Sequence, residues 1–122
     1  MILPDTSVWV EHFRNAELRL EPLLESEAIA VHPFVVAELA LGDLKKRGLT
    51  LFMLDRLPAA TVATHGELLR FIELNDLAAT GIGFVDAHLL LSVRLMSETR
   101  LWTNDKRLLR QAERLGVWLF PA

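Results

Sequence analysis

The chain contains no cysteine. That excludes disulfides, thiol nucleophiles and cysteine-bound zinc. No uncharged apolar run approaches the roughly 20 residues that a membrane helix needs, and no basic residue precedes Arg14. Neither a membrane span nor a secretory leader is therefore expected, and the cytoplasm is the default compartment. Repeats, low-complexity tracts and linkers are missing as well. Of the 122 residues, 52% are hydrophobic and 24% charged. The expectation is a single domain over residues 1–122, large enough for a real core and too apolar for disorder.

The net charge of −3 argues weakly against a nucleic-acid partner, but the charge is unevenly spread. Residues 94–114 hold Arg94, Arg100, Lys106, Arg107, Arg110 and Arg114 against three acids, while the rest of the chain has seven basic and thirteen acidic residues. Lys45-Lys46-Arg47 is a second basic cluster. Such clusters are ordinarily solvated helix faces; beside a metal site the same arginines can hold phosphates.

Four acids stand in apolar surroundings. Asp5 ends Met1-Ile2-Leu3-Pro4-Asp5, Glu38 lies within Phe34–Leu41, Asp86 within Ile82–Leu91, and Asp105 follows Leu101-Trp102-Thr103-Asn104. Carboxylates are almost never fully buried unless paired. Each has a plain structural reading. Asp5 and Asp105 suit helix N-caps, Asp86 suits a helix N-terminal dipole, and Glu38 could face an arginine. Needing all four readings at once favours a common one, convergence on a divalent cation. Mg²⁺ and Mn²⁺ prefer carboxylate oxygens, relieve the repulsion among them, and support phosphodiester hydrolysis.

The pattern predicts a short strand at Ile2-Leu3, then a helix over roughly 7–14 capped by Thr6 or Ser7. A helix is expected within 17–26, its start limited by Pro22, and a second strand at 28–31. Pro33 suits the first turn of a helix stopping at Gly42. Residues 43–56 predict one or two short helices broken near Gly48. Thr64-His65-Gly66-Glu67 matches a capping box opening a helix to about Leu74. After the loop 75–83 come a helix over about 84–97, a third strand at 101–103, a helix over 105–115, and a last strand at 117–120. Apolar strands alternating with helices indicate an α/β fold with a parallel sheet covered on both faces. Sites in such sheets lie at the carboxyl ends of the strands, which all four acids can reach. Thr103, two residues before Asp105, shares its side of an extended segment and can bond a carboxylate. Asn104 faces solvent or substrate. His12, His32, His65 and His88 lack ligand spacing and read as structural or surface residues. Trp9, Trp102 and Trp118 read as core or subunit-interface residues.

Four segments, taken in order, resemble the PIN-domain ribonucleases of the VapC type, the toxins of bacterial toxin–antitoxin pairs. They are Met1–Val10, His32–Gly42, Gly81–Leu90 and Leu101–Leu108. The resemblance implies a PIN-like three-layer α/β/α sandwich with a central parallel sheet. It implies that Asp5, Glu38, Asp86 and Asp105 bind Mg²⁺, with Mn²⁺ a possible substitute. Thr103 then takes the hydroxyl position of the Thr-x-Asp segment, and RNA is hydrolysed with water as nucleophile. It implies, too, a homodimer neutralised by a cognate VapB-type antitoxin, whose C-terminal segment crosses the toxin and places a basic side chain in the acidic site. The chain departs from relatives at three positions. Pro4 replaces an aliphatic residue, and lacking an N–H it predicts pairing only as far as Leu3. Phe84 replaces a tryptophan, and Asn104 stands where a basic residue is frequent.

Two other readings are carried forward. One is a catalytically inactive PIN-like RNA-binding or interaction module, which would fail to bind Mn²⁺. The other is an aspartyl-nucleophile phosphatase, against which Ser7 stands where a second Asp is usual.

Overall fold

Leu3 and Leu101 are both completely buried, and the two short apolar segments around them form the centre of the sheet. In the computed structural model, which describes residues 1–15 and 17–121, β1 (Ile2–Pro4) pairs in parallel with β2 (Arg100–Trp102). Single parallel bridges extend the sheet on either side, Ile2 to Ile29 and Val31 to Ala59 on one flank, Leu101 to Leu119 on the other. Across the sheet the order is thus 59, 29–31, β1, β2, 119. Helices make the crossovers: α1 (Thr6–Asn15), α2 (Leu20–Glu25), α3 (Pro33–Leu41), α4 (Arg47–Asp55), α5 (His65–Leu74), α6 (Phe84–Leu95) and α7 (Lys106–Arg114). The result is a small central parallel sheet flanked by helices, as the alternating pattern predicts.

Several local expectations are corrected. Pro4 is in the sheet, in register with Trp102. The ladder to β2 uses Met1 and Asp5, whose C=O and N–H bond Arg100 and Trp102. The N–H and C=O of Ile2 face the Ala28–Ala30 side instead. By this alternation the missing N–H of Pro4 faces away from β2, so it costs that ladder nothing. The segments at 28–31 and 117–120 make bridges rather than full strands. Val31 pairs with Pro58–Ala60, a segment whose Pro and Ala carry no strand signature. Gly48 does not break α4, because it lies in the first turn, where backbone amides have no partner inside the helix. Neither Thr6 nor Ser7 caps α1, since Asp5 does.

The remaining ends follow their local chemistry. His32 caps α3, its Nδ1 accepting from the Phe34 N–H at 3.0 Å, with Pro33 next. Thr64 and Glu67 close the expected capping box on α5. Trp9 and Trp102 are core residues, but Trp118 is 58% exposed, with the Arg100 guanidinium over its ring. Among the described residues no helix is long and apolar enough to cross a membrane.

Candidate active site

Asp5 follows β1 directly, and its side chain is 2% exposed. Oδ1 accepts from the Val8 N–H at 3.1 Å and from the Ser7 hydroxyl at 2.5 Å, while Oδ2 accepts from the Thr103 hydroxyl. The parallel pairing of β1 with β2 makes this last contact possible, because it sets Asp5 and Thr103 at adjacent strand ends. Thr103 Oγ1 in turn accepts from the Asp105 N–H at 2.9 Å, and Ser7 Oγ from the Asn104 N–H at 3.0 Å. Burial pushes the Asp5 carboxyl up; the hydroxyl and amide donors pull the other way, and nearby Asp105 adds to the rise.

Asp105 caps α7, accepting from the Arg107 and Leu108 amides at 2.8 and 3.0 Å. Glu38, exposed on α3, accepts from the Thr6 hydroxyl at 2.6 Å. Asp86, half-buried in the first turn of α6, is pushed up to about 6, first by burial and then by the charges of Asp5, Asp105 and Glu38. The plain structural readings of Asp5 and Asp105 as caps are therefore realised, yet the charges of Asp5, Asp105 and Glu38 also bear on Asp86. The arginine partner considered for Glu38 is not present: the one ion pair among the described residues is Arg19–Glu17.

The histidines stand apart from this group. His32 and His88 are buried with ring centroids 5.8 Å apart, among Phe34 and Phe84. Burial lowers both, His32 to about 4, so both are neutral. The role of His32 as a cap, and of Thr6 as the holder of Glu38, carried no signal in the sequence. Beside Thr6 and Glu38 a groove of about 480 Å³ opens between α1, α3 and the start of α4, lined in part by Val10, Phe13 and Leu39.

Residues 2–114 match the PIN domain family. The chain belongs to the PIN-domain family. It is 48% identical over 119 residues to ribonuclease VapC32 of Mycobacterium tuberculosis, in strains CDC 1551 / Oshkosh and ATCC 25618 / H37Rv, covering 98% of this chain and 96% of each relative. The resemblance to VapC-type PIN ribonucleases is thus borne out over nearly the whole chain, and it supports a nuclease-type function in general terms.

As a PIN domain the chain should suit a hard divalent cation, and its donor chemistry does. All four acids are oxygen donors, none is ion-paired to a base among the described residues, and the repulsion raising Asp86 is what such a cation removes. In placement they do not gather. Among the described residues no three of these side chains stand close enough to hold an ion. The reason is visible in their bonds, since Glu38 turns to Thr6 and Asp105 to its own helix.

The raised Asp86 has a consequence for the metal-free protein. Its folded value of about 6 lies above the ordinary 3.8, so between these values the folded state binds more protons than the unfolded state. Stability therefore falls as pH rises through that window, and the cost is complete above it. Asp86→Asn should stabilise the protein in EDTA near neutral pH by about 1 kcal/mol, after allowing for solvent screening of a half-buried group. The gain should vanish below about pH 4. Urea unfolding at both pH values checks this, and an equal gain at both would count against it.

Proposed function

We propose that the chain, as a single PIN domain over residues 1–122, is a metal-dependent endoribonuclease toxin. The observation that carries the reading is the 48% identity to a VapC ribonuclease over 98% of the chain, and the hold of Ser7 and Thr103 on both carboxylate oxygens of Asp5 supports it. Asp5, Asp86 and Asp105 would hold Mg²⁺ or Mn²⁺, with Glu38 assisting. An ion held there would lower the pKa of a water and offset charge developing on the phosphodiester. Ser7 and Thr103 orient Asp5 with both carboxylate oxygens engaged. Glu38, tethered by Thr6, orients the attacking water. Hydrolysis would form a bond from the water oxygen to phosphorus and break the bond from phosphorus to a ribose oxygen, with the proton lost by the water ending on that leaving oxygen.

The groove beside Glu38 supports the antitoxin part of the reading. Its apolar lining suits one face of a VapB-type segment, and its charged lining, Glu38 and Asp43 with Arg14 and Lys45, suits a segment that carries both signs. A homodimer in the cytoplasm completes the proposal. Ser7 already serves to orient Asp5, which leaves the phosphatase reading without a second acid.

The test is incubation of purified, partner-free protein with total cellular RNA in Mg²⁺, Mn²⁺ or EDTA. Discrete cuts with either metal and intact RNA in EDTA are expected. Equal cutting in EDTA would sink the metal-dependent mechanism, and no cutting by folded protein would favour the inactive module.

A further inference from the structure

The basic residues of the C-terminal third divide into two groups. Arg94 donates to the Leu115 carbonyl, Arg100 to that of Leu119, and Arg114 to Gln111 and the carbonyls at 75 and 76. These guanidiniums tie loops together. Lys106, Arg107 and Arg110 are exposed and have no side-chain hydrogen bond or ion pair among the described residues.

Of these, Arg107 lies against the loop that leads into α6. Its backbone N–H is fixed to Asp105 Oδ1 at 2.8 Å, and its side chain lies across Gly81. A methyl group on Gly81 would come within 3.3 Å of Arg107 Cδ and 3.5 Å of Nε, and Gly81 adopts φ +88°, where only glycine is at ease. Gly81 begins the approach to α6, whose Gly83 cap lies three residues before Asp86. An arginine stem is thus laid between the two segments that carry Asp105 and Asp86. Its guanidinium is exposed and makes no ion pair with the acids among the described residues. A planar fork of N–H donors held there matches a phosphate.

We infer that Arg107 is a substrate-binding residue that grips an RNA backbone phosphate beside the scissile one. The inference rests on the ribonuclease reading. Its phosphate grip is sequence-independent, as for backbone contacts generally.

The experiment measures binding of a fluorescein-labelled, random-sequence single-stranded RNA pool in Mg²⁺, on an Asp5→Asn background that prevents cutting. Arg107→Ala should weaken binding about tenfold and flatten the log–log salt dependence by about 0.7. Arg107→Lys should retain the salt slope. Gly81→Ala leaves the charge in place and shifts the stem by a few tenths of an ångström, so it should weaken binding less than Arg107→Ala does, with the slope kept. The corresponding variants with Asp5 intact should show a raised KM for RNA cleavage. Wild-type affinity and slope in Arg107→Ala would overturn the inference alone, provided the protein with Asp5 intact cuts RNA. If that protein neither cuts nor binds RNA, the inference falls with the ribonuclease reading.

Discussion

Asp5→Asn is expected to lower metal-dependent RNA cleavage by on the order of a thousand-fold, the loss of several kcal/mol of transition-state stabilisation. The fold should survive. Asparagine caps helices as well as aspartate does, so its Oδ1 can keep the Val8 N–H bond, 3.1 Å long in the wild type. The Thr103 hydroxyl, which donates to Oδ2 in the wild type, can rotate to accept from the new amide. The substitution also removes a buried charge whose desolvation raises its pKa. Unfolding in EDTA should therefore show a variant at least as stable as wild type. Cleavage in Mg²⁺ at more than about a tenth of the wild-type rate would mean that Asp5 is a cap and nothing more.

Trp102→Ala should be the most damaging of the core changes near the site. Trp102 is 1% exposed, its ring meets Phe120 edge-on at 4.8 Å, and the Arg19 guanidinium lies 5.1 Å from its centre. Truncating so large a buried side chain costs about 3–5 kcal/mol. In a domain of this size that lowers Tm by roughly 10–20 °C. The position matters beyond stability, because the Trp102 carbonyl accepts the Asp5 N–H at 2.9 Å and the next residue is Thr103. Cleavage assayed well below the lowered Tm should still be reduced, since the hydroxyl that orients Asp5 sits on the loosened strand end. A thermal melt within a few degrees of wild type would show that neighbouring side chains fill the space.

The two predictions separate chemistry from scaffold. The first removes a charge with little change of shape, and the second removes shape with no change of charge at the acids. With the pH dependence of Asp86→Asn, the two variants distinguish acids that bind a metal together from four independent structural carboxylates.

Apolar run, helix period and capping chemistry are local properties, so the sequence alone determined the alternation of elements. It also determined the Pro33 start and Gly42 stop of α3 and the capping box at Thr64, and it singled out the four acids as candidates. Family membership was readable because those acids sit in ordered segments along the chain, which needs no distances. The tertiary structure decided what depends on contacts between distant residues. Only the register of β1 on β2 brings Thr103 to Asp5 across 98 positions, and only packing of α1 on α3 brings Thr6 to Glu38. Pairing of Val31 with Pro58–Ala60 was invisible because small residues with no strand preference are recruited by a neighbour's free edge. The place of Pro4 in the sheet turned on which side of the strand its absent N–H faced. The seat of Arg107 on Gly81 depends on a loop and a helix meeting in space, and no spacing along a chain encodes that.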